Sequence, residues 1–289
     1  MAESVIAIVF DFDETLGPDT ISLFLEQQKI KPAGFWDGVN EMVTEGWDPP
    51  LAYMHKMLVL SAAGKLDISK KALSKTGRSL KLFPGLPNAF SELQDFVNTS
   101  TQLKPARVSL EFYIVSGGLE EMIRSTKIEP EIDGIFGCNF AYDEKGNATG
   151  IKSAISFTEK TRYIHGIRKG IDVSVLRNNP YRINDSISLD QQRIPFSRMI
   201  YIGDGPSDIP CLSMITHNGG TGIGVSAPFG TFEKGYELAR GKRITVGPYT
   251  ANYKRGSDMR KVLEETILRV GLEIDIERRK NVINAPGHA

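Results

Sequence analysis

The chain opens on an unbroken apolar run, Val5-Ile6-Ala7-Ile8-Val9-Phe10, that ends abruptly in Asp11-Phe12-Asp13-Glu14-Thr15. A short, largely β-branched run of this kind reads as a strand covered on both faces, as in a parallel sheet. Gly17 and Pro18 then interrupt the chain. From about residue 19 to 80 the spacing turns helical, around Ile21 to Gln28 and around Leu51 to Ala62. An aromatic, glycine-rich stretch with Phe35, Trp36 and Trp47 lies between those two. Little in this region reads as strand, so a separate helical lobe is expected. Phe83-Pro84-Gly85-Leu86-Pro87 marks the return, followed by a helix from about Pro87 to Val97 with proline near its start. Strand-like runs recur at Glu111 to Val115, Ile135 to Cys138, Met199 to Ile202 and Gly222 to Val225. Helices are expected after Gly118, from about Thr158 with that residue as cap, from Asp208 to Ile215, and from Asp258 to Val270. Asp143 to Gly146 has the composition of a hairpin turn, and the polar stretch 170–198 reads as an irregular insertion.

Strands alternating with helices predict an α/β fold, a doubly wound, Rossmann-like parallel sheet. Residues 1–17 and 83–289 form its core, and residues 18–82 form an inserted helical lobe. No internal repeat is present. Thirty-five basic residues balance thirty-five acidic ones. That balance gives no electrostatic case for nucleic acid or an anionic membrane as the main partner. No apolar run reaches the roughly 18–20 residues of a membrane helix, and the N-terminal run is too short for a signal peptide. A cytoplasmic protein is expected, which leaves the sequons at Asn98 and Asn147 without meaning. Cys138 and Cys211 are too few for a disulfide framework and lack metal-ligand spacing, so both are expected to be small buried residues. His55, His165, His217 and His288 also lack such spacing and read as structural or surface residues. Gly222 to Ala227 fits a loose dinucleotide pattern, but Pro228 and Gly230 stand where its helix should begin.

Ligands of open α/β sheets bind outside the carboxyl ends of the strands. Three predicted strands run into polar clusters: Asp11 and Asp13; Ser116, Gly117 and Gly118; Asp204 and Asp208. Parallel neighbouring strands would bring these clusters together. Four aspartates make a hard-oxygen set suited to Mg²⁺, which keeps waters and takes one or two carboxylates plus a phosphate oxygen. Ser116 and the glycine amides after it offer donors to phosphate oxygens. A lysine is expected nearby to offset the remaining charge. Lys160 is the candidate, with Lys152 and Lys169 as rivals.

Taken in order, these residues resemble the haloacid dehalogenase (HAD) superfamily of hydrolases. Its DxDxT signature stands at Asp11 to Thr15, its serine at Ser116 after Phe112-Tyr113-Ile114-Val115, its lysine best at Lys160, and its last motif at Gly203-Asp204-Gly205-Pro206-Ser207-Asp208. The match covers residues 5–16 and about 83–225. The lobe between them resembles the helical cap of phosphoserine-phosphatase-like members. The resemblance implies a phosphatase acting on a small-molecule phosphate ester. Asp11 would attack phosphorus, and Asp13 would protonate the leaving oxygen and then activate water. Asp11, the main-chain oxygen of Asp13, and Asp204 would hold Mg²⁺, supported by Asp208. Ser116, Gly117 and Lys160 would bind the phosphoryl group. Two departures bear on the substrate. Phosphoserine phosphatases carry a glutamate where this chain has Thr20, beside Asp19, and an asparagine where it has Ser207. Phe35, Trp36, Trp47 and Met54 line either an apolar wall above the site or the lobe's own core. Phosphotransferase or mutase chemistry on the same fold is the alternative. The full carboxylate set argues against a dehalogenase and against a non-catalytic binding protein.

Overall fold

The computed structural model describes residues 4–188 and 191–283. Strand β1 (Ser4–Phe10) leads into four helices, α1 (Thr20–Gln27), α2 (Pro32–Thr44), α3 (Pro49–Ala62) and α4 (Lys70–Ser79). Helix α5 (Ala89–Thr99), β2 (Val108–Leu119), α6 (Glu120–Arg124), β3 (Gly134–Tyr142) and β4 (Ala148–Ser153) follow. Next come α7 (Glu159–Lys169), α8 (Val173–Asn178), β5 (Met199–Gly203) and α9 (Ile209–His217). The chain closes with β6 (Thr221–Ser226), α10 (Glu233–Arg240), β7 (Val246–Thr250) and α11 (Asp258–Ile283).

Among the described residues, seven strands form one sheet in the order β4-β3-β2-β1-β5-β6-β7. Every pairing is parallel except β3 with β4. The central strand explains its own composition. Ala7 and Val9 enter one apolar cluster, with the lobe helices, α7 and α9. Ile6, Ile8 and Phe10 enter the other, with α5 and α11. A strand covered on both faces has no polar side, which is why its sequence does not alternate. Among the described residues, no helix is long and apolar enough to cross a membrane.

Several elements differ from expectation. The stretch between the first two predicted lobe helices is itself helical over Pro32–Thr44, with Pro32 at the start where its missing N–H costs nothing. Helix α5 begins two residues beyond Pro87. Strand β2 is longer than Glu111 to Val115 and absorbs Ser116-Gly117-Gly118, with a register shift against β3. Thr158 stands at the N-cap of α7 but makes no side-chain cap bond, because its own backbone is already helical (φ −78°, ψ −24°). The 170–198 stretch is more regular than predicted. Asp172 caps α8 by accepting from the Ser174 amide at 2.7 Å, and short 3₁₀ turns follow at Pro180–Asn184 and Phe196–Arg198. Residues 189–190 of that stretch and His288 lie outside the described residues.

The segment carrying α1 to α4 leaves and rejoins the sheet at packed positions. The Phe83 amide donates to the Leu16 carbonyl at 2.9 Å, and the Tyr253 amide donates to the Pro84 carbonyl at 2.7 Å. Gly85, at φ +95°, lies so close to the backbone of Tyr253 and Lys254 that a Cβ there would collide with it. Glycine is required on both counts.

Candidate active site

Sheet register assembles the site. Phe10 lies opposite Ile114 of β2 and Ile202 of β5, so Asp11, Ser116 and Asp204 emerge within two residues of one level at the carboxyl edge. The Asp11 amide donates to the Ile202 carbonyl at 2.9 Å and continues the ladder to the last residue before the turn.

Lys160 projects from the first turn of α7 and is only 1% exposed. Its Nζ lies 3.1 Å from Asp11 Oδ1 and 2.8 Å from Asp208 Oδ1. The Tyr201 hydroxyl, also buried, donates to the same Asp208 oxygen at 2.7 Å. Asp208 Oδ2 accepts from the Gly205 amide at 3.4 Å. A Cβ at residue 203 would collide with the Asp208 carboxylate, so Gly203 makes its position possible. Asp13 Oδ1 accepts from the Thr20 amide at 2.8 Å. A Cβ at Gly118 would sit 2.6 Å from Asp13 Oδ2, so the second strand's glycine makes room for the first strand's carboxylate.

The three carboxylates Asp11, Asp204 and Asp208 offer ligand atoms within 4.8 Å of one another. Burial, then the charge of Asp208, raises Asp11 to about 6 against the pull of Lys160. Burial, then Asp208 and Asp11, raises Asp204 to about 8. Burial, then the charge of Asp19, holds Asp13 well above the ordinary aspartate value. Lys160 shows the converse. Burial lowers it, but Asp11 and Asp208 outweigh burial and keep it protonated. Among the described residues, Lys160 is the one fully buried cation facing these acids. Asp11 Oδ1, although close to Lys160, has no hydrogen bond of acceptable geometry. Clustered, buried carboxylates with an unsatisfied oxygen and too little positive charge suit a hard divalent cation such as Mg²⁺.

This arrangement makes the metal-free protein sensitive to pH. The folded-state values of Asp11 and Asp204 lie above the ordinary 3.8. Between about pH 4 and pH 8 the folded protein therefore holds protons that the unfolded chain has released, and stability falls as pH rises. Asp204→Asn is expected to flatten that fall. In EDTA its Tm should drop less than wild type's between about pH 5 and pH 8, at roughly 2–4 °C per kcal/mol recovered. Scanning calorimetry of both proteins checks this, and identical slopes would contradict it.

The structure separates the sequence candidates. Of the three lysines, Lys160 lies among the aspartates. Lys169 donates to the carbonyls of Ile183 and Asp185, and Lys152 lines a different cavity beside Arg162 and Arg177. Asp11, Asp13, Ser116, Gly117 and Asp204 line one cleft of about 470 Å³, with Asp208 and Lys160 beneath it. Of the four lobe residues, Trp36 lines the cleft. Phe35 and Met54 are buried in the apolar core, and exposed Trp47 lies against His55. Both cysteines are buried and free.

Four residues at the site escaped the sequence reading: Tyr53, Phe157, Tyr201 and Lys234. Tyr53 of α3 donates to the Gly117 carbonyl at 2.8 Å, and the Cys138 thiol donates to it at 3.2 Å. A lobe helix is thus tied directly to the Ser116-Gly117-Gly118 segment. Tyr201 carried a faint signal, as a polar-tipped ring inside an otherwise aliphatic strand that must find a partner when buried.

No family model matches the chain. An uncharacterized protein of Borreliella burgdorferi is 26% identical over 243 residues, which span 74% of this chain and 80% of that one. Among solved structures, a phospho-aspartyl intermediate analogue of phosphoserine phosphatase superposes with a TM-score of 0.53 at 16% identity, covering 91% of this chain and 99% of that one. A HAD-family hydrolase from Salmonella enterica serovar Typhi gives 0.51 at 18% identity, covering 77% of this chain and 63% of that longer one. The chain has the α/β fold of the HAD hydrolases, in its phosphoserine-phosphatase-like form.

Proposed function

We propose that this protein is a Mg²⁺-dependent phosphatase that hydrolyses a small-molecule phosphate monoester through an aspartyl phosphate on Asp11. The observation that carries this reading is the placement of Asp11. It stands at the end of the central strand with Lys160 Nζ 3.1 Å away, and its ligand atoms lie within 4.8 Å of those of Asp204 and Asp208.

Asp11 and Asp204, with the main-chain oxygen of Asp13, are the groups to hold the ion, and Asp208 supports them. When bound, Mg²⁺ neutralises charge on the phosphoryl oxygens and on the carboxylates around them. The remaining work falls to side chains. An Asp11 oxygen attacks phosphorus as the bond to the leaving alcohol breaks. Asp13, whose buried and acidic surroundings favour its protonated form, gives its proton to that alcohol oxygen. In the second step Asp13 takes a proton from water, the water oxygen attacks phosphorus, and Asp11 and inorganic phosphate are released. Ser116, Gly117 and Lys160 hold the phosphoryl group meanwhile, and Lys160 offsets charge without any reorganisation. Phosphoryl transfer asks mainly for positioning and charge stabilisation, which this set supplies.

Phosphate release from simple monoesters, followed in Mg²⁺ and again in EDTA, tests the reading. Release is expected in Mg²⁺, loss of release in EDTA, and recovery on adding Mg²⁺ back. Turnover undiminished by EDTA would instead favour a metal-free displacement at Asp11.

A further inference from the structure

A second cavity of about 300 Å³ opens off the catalytic cleft, and the two share Trp36, Pro49, Tyr53, Gly117, Phe157 and Ser207. Its remaining lining is Val39, Val43, Pro50 and Ile155, with Asn40, Ser156 and Lys160 as the polar members. We infer that this slot receives the alcohol part of the substrate, and that this part is apolar and uncharged. The inference rests on the phosphatase reading and deepens it.

Apolar side chains predominate on these walls. Among the described residues, the slot's sole charged lining residue is Lys160, already shared between Asp11 and Asp208. Within the slot, no other cation among the described residues is left to pair with a substrate carboxylate. Lys234 lines the main cleft but not the slot, and stands on the Asp204 side. The cleft's two further acids are also engaged. Asp19 accepts from the Ile21 and Ser22 amides and from the Ser22 hydroxyl, and Glu14 accepts from the Asp19 amide. Both line the cleft and neither lines the slot, so neither faces a group held there.

The aromatic walls have spent their polar ends as well. Trp36 Nε1 donates to the Ser22 hydroxyl at 2.8 Å, and the Tyr53 hydroxyl donates to Gly117. The two rings meet edge to face, 6.2 Å apart at 62°, and so offer a corner of ring surface rather than donors. Phe157 is 43% exposed where the cleft and slot join, an apolar ring left in water unless a ligand covers it. Binding energy here comes from apolar contact, which scales with area and rejects unpaired charge.

A series of straight-chain alkyl phosphates, from methyl to hexyl, tests this in the Mg²⁺-loaded protein. The expected kcat/KM rises about fourfold per methylene over the first carbons, and phosphoserine falls below the alkyl ester of matching length. Val43→Asp, at a half-buried position on the slot wall, should flatten that slope. Measurable hydrolysis of methyl phosphate with a flat or falling series, or with phosphoserine preferred, overturns the slot and leaves the phosphatase standing. A rising series that Val43→Asp leaves unchanged also overturns it, by placing the apolar contact elsewhere. Absence of hydrolysis throughout overturns both readings.

Discussion

Asp11→Asn is expected to lower phosphate release by about 10⁴–10⁶-fold, the range over which removing a covalent nucleophile acts. The change swaps one oxygen for a nitrogen of the same size at the end of β1. Lys160 keeps Asp208 as a partner at 2.8 Å, and the Asp11 amide keeps its bond to Ile202. The fold should therefore survive, and circular dichroism with a thermal melt checks that it does. An amide cannot act as the attacking carboxylate, and its lack of charge also loosens the metal site. Both effects point the same way, so Mg²⁺ titration of the variant should separate them. If saturating Mg²⁺ restored turnover, Asp11 would be a ligand alone and some other group would be the nucleophile.

The largest effect on stability is expected from Lys160→Met. Lys160 is 1% exposed, and its partner Asp208 is fully buried. Breaking such a pair from one side strands buried carboxylates and costs about 3–5 kcal/mol. That corresponds to a fall in Tm of roughly 10 °C in a domain of this size. Tyr201 remains on Asp208, which is why collapse of the fold is not expected. Adding Asp11→Asn to Lys160→Met should recover part of the loss, because it removes one stranded charge. The double-mutant cycle measures that coupling directly. Additive losses would mean that the 3.1 Å contact has no energetic content.

Much of this architecture could be read from residues alone, and the reason is local. Asp11 and Asp204 each follow a run buried on both faces, so the place where polarity returns marks the carboxyl edge of the sheet. What was missed depends on tertiary direction. Trp36 and Phe35 are neighbours on α2, where adjacent residues point about 100° apart. One faces the cleft and the other the lobe core, and sequence cannot say which. Lys160 was the sequence candidate and does lie among the aspartates, although Lys152 and Lys169 stood as rivals because a lysine's charge sits at the end of a long stem. Strand β7 was hidden by Gly247 and Pro248, which are tolerated because it is the last strand of the sheet. Helix α2 was obscured by Gly34 and Gly38. A Cβ at Gly38 would collide with Lys56, whose Nζ donates to the Phe35 carbonyl at 2.9 Å. Each glycine weakens the signal for the helix it belongs to.

The covalent step is the centre of this account, and the most direct measurement is the mass of protein quenched in acid during turnover of an alkyl phosphate. A phosphoryl adduct is expected on the peptide carrying Asp11, forming no more slowly than phosphate is released, and absent from Asp11→Asn. Steady phosphate release with an unmodified Asp11 peptide, or an adduct that persists in Asp11→Asn, would contradict it.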